Sequence, residues 1–248
     1  MPELMDPMAA AFRLEGDNGE AVALIHGFTG VPSHFRPLAG KLNEAGYTVT
    51  VPRLAGHGTS PEDLATTTAS DWIASAEAAV DRLAGHDRVH LVGISMGGLI
   101  AMVLAGRVGA ASVTIINSPL IVRNKTLYAA PLSRPFIKKV EWPEPDFGHL
   151  DEEMRPYWLP YSGFYTKSAG GLLAILLRAS WAARGLDVPS LIIQSRNDES
   201  VSPRSARIWR RLLGGDSQLI WLENSLHNAL LDKERDQIAA AVLARLEA

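Results

Sequence analysis

The sequence predicts an α/β fold: a mostly parallel central sheet flanked by helices, interrupted by a small insertion. Three observations lead there. Apolar runs of strand length alternate with amphipathic stretches of helical period along most of the chain, as parallel strands joined by helical crossovers require. A glycine-flanked serine, Gly93-Ile94-Ser95-Met96-Gly97, stands between one such run and one such stretch. The alternation then fails over residues 118–184, which hold seven of the fifteen prolines, and resumes beyond them.

In chain order, residues 21–25 read as a strand ending at His26-Gly27. Residues 33–45 follow as a helix, with Phe35, Leu38 and Leu42 at helical spacing. The next strand, 47–51, is closed by Pro52 and the turn-rich Gly56-His57-Gly58. Ser70 is expected to cap a helix over 71–84, whose Trp72, Ile73, Ala76, Val80 and Leu83 make one apolar face. A buried strand over 89–94 runs into Ser95, a helix over 96–106 leaves it, and 113–117 is another strand. Residues 118–184 show two short helical patches and no clear strand. A strand over 188–194, a helix over 203–213, a strand over 218–222 and a helix over 232–246 complete the chain. No internal repeat or low-complexity tract interrupts this order. The simplest organisation is one core, residues 1–117 and 185–248, carrying 118–184 as a cap.

Composition narrows the function. With 248 residues, 47% of them hydrophobic, the chain can bury a substantial core without covalent staples. A formal charge of -3 gives no basic footprint for nucleic acid and no polybasic grip on an anionic membrane. The absence of cysteine excludes disulfides, thiolate metal sites and a cysteine nucleophile, and fits a reducing compartment. Glu3 and Asp6 stand where a signal peptide would carry positive charge. The most apolar short run, 172–177, is too brief to span a bilayer. A cytoplasmic protein without stable membrane insertion is expected, its oligomeric state left open.

The serine motif carries the chemistry. Gly-x-Ser-x-Gly alone is common, but here it joins a strand to a helix. A nucleophile on so sharp a turn needs small neighbours, and Gly98 lets the following helix pack closely. The helix N-terminus favours a developing oxyanion. The alternatives are a glycine turn without chemistry and a phosphate loop, but the spacing fits neither dinucleotide-binding nor Walker motifs.

A serine hydroxyl also needs a base and its oxyanion needs donors. The N–H groups of Met96, just after the serine, and of Phe28, in His26-Gly27-Phe28-Thr29-Gly30, are the candidate donors. Of seven histidines, His86 and His149 fall in polar stretches, His34 begins a helix, and His90 lies within a strand. His26 and His57 read as loop braces. His227 alone follows the last strand, where a base belongs if the chain order is serine, acid, histidine. Asp198, just after the 191–194 strand core, is the leading acid; adjacent Glu199 is its chief rival, and Asp187, before the strand, a weaker one.

The motifs His26-Gly27-Phe28-Thr29-Gly30, Gly56-His57-Gly58, Gly93-Ile94-Ser95-Met96-Gly97-Gly98, Asn197-Asp198-Glu199 and Ser225-Leu226-His227 followed by Leu231-Asp232 span almost the whole chain. With them the sequence resembles the α/β-hydrolase superfamily, and more closely its small bacterial carboxylesterases and monoacylglycerol lipases. The resemblance implies the α/β-hydrolase fold, a cap after the sixth strand, no metal and no cofactor. It implies Ser95, Asp198 and His227 as the catalytic triad, Phe28 and Met96 as oxyanion donors, and a small-molecule ester or lipid as substrate. One departure is Asn228, where such enzymes often carry an apolar residue, which bears on the shape of the nearby pocket.

Residues 118–184 hold over half of the aromatics. Trp142, Trp158, Tyr161 and Phe164 are the candidate substrate-binding residues, because aromatics facing a cleft suit an acyl chain. Anchoring the cap to the core is the other reading. An aspartate-nucleophile dehalogenase is disfavoured by Ser95. Amidases, thioesterases, C–C hydrolases and acyltransferases sharing the triad stay open, and a non-enzymatic binder would be expected to carry a damaged triad.

Overall fold

A computed structural model describes residues 3–124, 139–141, 150–159 and 161–248. The main sheet begins with β1 (Phe12–Leu14), β2 (Glu20–Ile25), β3 (Thr48–Val51), β4 (Arg88–Ile94) and β5 (Ser112–Ile116). A separate antiparallel hairpin follows, β6 (Lys139–Glu141) with β7 (Gly163–Tyr165), before the chain returns to the main sheet as β8 (Ser190–Ser195) and β9 (Ser217–Leu222). The helices are α1 (Arg36–Glu44), α2 (Pro61–Leu64), α3 (Ala69–Asp81), α4 (Met96–Ala105), α5 (Thr166–Ala182), α6 (Arg204–Leu213) and α7 (Arg235–Leu246).

The seven strands lie in the order β1-β3-β2-β4-β5-β8-β9. Only the short edge strand β1 runs antiparallel to its neighbour; the other pairings are parallel. Both faces are buried, so side chains alternate between two apolar layers. Ala21, Ala23 and Ile25 point into the layer under α3 to α6, while Val22 and Leu24 point into the layer under α1 and α7. Strand order turns back between β2, whose crossover leads outward to β3, and β4 on its other side. Ligands of open α/β sheets bind beyond the carboxyl ends of strands at such a reversal.

Several boundaries differ from those the sequence predicts. The α3 helix is capped by Thr68, not Ser70. Thr68 and Asp71 form a reciprocal capping box, which leaves Ser70 inside the first turn. The predicted 33–45 helix splits into a 3-10 turn, Pro32–Phe35, and α1, with Pro37 in the first helical turn. The β8 strand starts after Pro189, which has no N–H to give a ladder. The α7 helix starts at Arg235 because Asp232 instead accepts the N–H of Leu226 and of Lys233.

The insertion leaves the sheet after its fifth strand in chain order, where the resemblance implied the sixth. Among the described residues it contains a strand pair where none was expected, and a 17-residue helix, α5. Gly170-Gly171 lies inside α5. A Cβ at Gly171 would meet the Trp72 ring at 2.8 Å, so the glycine permits the approach of α5 to α3. Leu172, Ile175 and Ala179 then join the core layer of α3 and α4, which makes α5 a flanking helix of the main sheet.

Candidate active site

The carboxyl ends of β2, β4, β5, β8 and β9 deliver His26, Ser95, Asn117, Asp198 and His227 to one end of the sheet. Ser95 follows β4 directly and caps α4 with φ 53° and ψ -121°. Thr29, Ser95 and Asn117 are the non-glycine residues with left-handed φ among those described, and all three stand at this end. Backbone strain concentrated here is held by the surrounding packing. A Cβ at Gly93 would strike the Gly97 carbonyl, and one at Gly97 would strike that of Ile25. A third, at Gly98, would run into Ser118 Oγ. The turn is tight because Gly93 and Gly97 let backbone touch backbone and Gly98 admits the Ser118 hydroxyl.

His227 joins the serine to the acid. Its Nε2 lies 3.1 Å from Ser95 Oγ, and its Nδ1 lies 2.9 and 3.0 Å from the two oxygens of Asp198. Asp198 is 1% exposed and well hydrogen-bonded. Its Oδ1 accepts from the N–H groups of Ser200 and Val201 at 2.9 and 2.7 Å, and its Oδ2 accepts from Gln194 Nε2 at 3.2 Å. A carboxylate so placed is acceptor only, so His227 donates through Nδ1 and turns an Nε2 lone pair to the serine. Burial acts to lower the His227 pKa. The charge and hydrogen bond of Asp198, with Glu199 beyond, more than offset it and leave the pKa above its ordinary value. The arrangement can accept a proton from Oγ and stabilise the imidazolium that results.

The His26–Gly30 turn faces the serine: a Cβ on Gly27 would sit 3.2 Å from Ser95 Cβ. Among the described residues, the N–H groups of Phe28 and Met96 have no protein acceptor, so both are available to an anion beside Ser95. His26 braces this turn. Its Nδ1 donates to the Gly27 carbonyl at 3.0 Å and its Nε2 accepts from Leu54 N–H at 3.2 Å, while burial lowers its pKa to about 4. His57 packs against His26, Phe28 and Trp72, and burial holds its pKa well below the ordinary value. His34 is buried against Trp158, with burial lowering its pKa to about 3. His90 is used by Ser112 and Glu20, and His86 by the Leu83 carbonyl. His149 lies outside the described residues.

The aromatic candidates divide. Trp142 lies outside the described residues. Trp158 stacks on His34 with ring centroids 5.6 Å apart. The Tyr161 hydroxyl donates to the Gly56 carbonyl and accepts from Thr59 N–H, both at 3.0 Å, tying the insertion to the Gly56-His57-Gly58 loop. Phe164 meets the Phe28 ring edge-on at 5.3 Å, next to the candidate oxyanion donor. A cavity of about 460 Å³ lined by Arg36, Lys41, Glu153, Tyr157 and Arg235 shares no residue with this site. Lys41 pairs with Asp236, and Arg235 with Asp151 and Glu153, so much of its charge is already neutralised.

Sequence reasoning missed the support of the histidine loop. Glu234 accepts from the N–H groups of Glu223, Asn224 and Ser225 and from the Ser225 hydroxyl. Asp232 holds Leu226 N–H at 2.8 Å. Glu199, the rival acid, does not reach the ring but accepts His227 N–H at 3.0 Å. Asp187 is exposed at the other end of β8. The signal for the loop was present only as acids shortly after the histidine, a pattern that usually marks a solvated helix start.

The sequence profile of the Alpha/beta hydrolase family matches residues 22–241. The chain is 31% identical over 237 residues to a carboxylesterase of Bacillus subtilis (strain 168), covering 92% of each. It is 32% identical over 248 residues to a thermostable monoacylglycerol lipase of Bacillus sp. (strain H-257), covering 96% of this chain and 95% of the other. Among solved structures, one described with LipS and LipT, two metagenome-derived lipolytic enzymes, superposes with a TM-score of 0.87. That similarity is 33% in identity and covers 96% of this chain and 97% of that one.

Proposed function

The chain belongs to the alpha/beta hydrolase family, and on that premise we propose that it cleaves carboxylic esters through an acyl-enzyme on Ser95. The observation that carries the proposal is the hydrogen-bonded line from Asp198 through His227 to Ser95 Oγ. In this reading His227 takes the Oγ proton as Oγ attacks the ester carbonyl. The N–H groups of Phe28 and Met96 hold the oxyanion, and His227 returns the proton to the departing alkoxide. Water then repeats the sequence on the acyl-enzyme, releasing the acid and restoring Ser95. Asp198 keeps the imidazole in the productive tautomer and stabilises the imidazolium when it forms.

We read residues 118–184 as a cap on a core of 1–117 and 185–248, with α5 serving the core as well. Within it, Phe164 beside Phe28 is placed to flank the acyl group, and Tyr161 anchors the segment through its hydroxyl. Short-to-medium acyl esters, monoacylglycerols among them, are the proposed substrates, in keeping with the names of the relatives. Each buried methylene contributes up to about 0.8 kcal/mol until the pocket ends. Efficiency on nitrophenyl esters from two to sixteen carbons is therefore expected to rise and then fall, with monoacylglycerols and matched amides run alongside. Faster cleavage of amides or thioesters than of every ester would sink the esterase reading while leaving the triad standing.

A further inference from the structure

Asp198 grips the His227 ring at Nδ1 only, through both carboxylate oxygens, and a hold on one ring atom does not by itself fix where the far nitrogen points. The 3.1 Å approach of Nε2 to Ser95 Oγ therefore also depends on where the His227 main chain stands. Two side chains hold that main chain by its two ends. Asn117 Nδ2 donates to the His227 carbonyl at 2.8 Å, and Glu199 Oε2 accepts from the His227 N–H at 3.0 Å. We propose that Asn117 and Glu199 are positioning residues, a two-ended clamp on the His227 main chain that sets the distance between base and nucleophile. The proposal rests on the reading of Ser95 and His227 given above.

Asn117 is built for such a task. It is fully buried at the end of β5 with φ 47°, a conformation that asparagine tolerates better than most residues. Its Oδ1 accepts the Ser195 N–H at 2.7 Å, which fixes the amide plane against the end of β8. Its Nδ2 is also within reach of Ser195 Oγ at 3.0 Å and the Leu226 carbonyl at 3.3 Å. The anchor is thus one residue beyond the strand beside the nucleophile's own, whose Ser95 N–H bonds the Ile116 carbonyl at 2.8 Å. Base and nucleophile are referred to the same strand end.

Glu199 closes the clamp from the acid loop. Neighbouring carboxylates divide the histidine, Asp198 taking the ring and Glu199 the N–H. Asp232 and Glu234 grip the preceding residues of the loop, and among the described residues only Asn117 and Glu199 bond the His227 main chain. The charged groups acting on His227 are Asp198 and Glu199, and both favour its protonated form.

The test is steady-state ester hydrolysis across pH for Glu199→Ala, Glu199→Gln and Asn117→Ser, beside Ser95→Ala. Glu199→Ala is expected to lower kcat roughly tenfold with KM little changed, because misplacement of the base acts on the chemical step. Glu199→Gln keeps an oxygen to accept the N–H, so it recovers most of that loss. It also removes a negative charge, so its acid limb moves to lower pH. Asn117→Ser, which loses the long donor, is expected to lower kcat by more than Glu199→Ala. Because Asn117 is buried, its variants also test folding, and the exposed Glu199 decides the matter. Wild-type kcat and pH profile in Glu199→Ala, with Ser95→Ala inactive, would overturn the clamp and leave the triad. A loss in Glu199→Ala that glutamine does not recover would overturn it too. Undiminished turnover by Ser95→Ala would overturn the reading underneath.

Discussion

The role proposed for Ser95 needs a strained residue with a neutral imidazole beside it. Removing its hydroxyl leaves the turn, the glycines and the packing in place. Ser95→Ala is therefore expected to lower turnover by several orders of magnitude with an unchanged melting temperature and circular dichroism spectrum. Activity within about tenfold of wild type would remove Ser95 from the mechanism. Asp198 and Glu199 separate in the same way, because only the first touches the ring. Asp198→Asn should cost far more in kcat than Glu199→Gln, since the amide disturbs the tautomer that points a lone pair at Ser95. Steady-state kinetics on the pair check this, and the reverse ranking would move the acid one place along the chain. Asp198 and Glu199 raise the pKa of His227, so in the proposed mechanism activity is expected to fall on acidification from above the ordinary imidazole value. A rate that stays flat down to roughly pH 5 would exclude a histidine base.

At the scale of elements, the capping of α3 gives a clean comparison. Thr68 and Asp71 bond each other's N–H groups, whereas Ser70 is an exposed first-turn residue. Thr68→Ala should destabilise by about 1 kcal/mol, and Ser70→Ala by much less, in urea unfolding. Equal effects would mean that the capping box contributes nothing. The same helix shows why element existence was legible in the sequence while boundaries were not. Trp72, Ile73, Ala76 and Val80 announce the buried face through their spacing, but Thr68, Ser70 and Asp71 all qualify chemically as first-turn signals. β1 was invisible because three residues carry no period, and it is held by β3 rather than by its own pattern. The close packing of α5 on α3 was not legible either, because the space that Gly171 leaves has meaning only once the Trp72 ring is set against it. Ser95, Asp198 and His227 stood out by motif and chain order. Asn117 did not, since its bonds reach residues 78 to 110 positions away.

For the molecule as a whole, the reversal of strand order between β2 and β4 sets Ser95 beside the candidate oxyanion turn, and the carboxyl ends of β8 and β9 bring the acid and histidine loops to the same rim of a rigid sheet. The loops at that rim are stiffened from within by polar groups, and three of these are His26, His34 and His57, all buried and all held neutral. An unfolded chain protonates such imidazoles near pH 6.5, whereas the folded chain resists until about 4 for His26 and about 3 for His34. Their contribution is present above the unfolded value and is lost as pH falls through that window. For His26 alone the loss is on the order of 3 kcal/mol, a large share of the roughly 5–15 kcal/mol that keeps a domain folded. Acid should therefore silence this enzyme twice. Protonation of His227 acts at once and reverses on neutralisation. Collapse of the turn beside Ser95 comes later, at lower pH, and shows as lost tertiary circular dichroism and slow recovery. A His34→Phe variant, which keeps a ring against Trp158 without a titrating nitrogen, should hold its fold to lower pH than wild type and leave the reversible step where it was. An unfolding midpoint that did not move would assign the acid sensitivity to other groups.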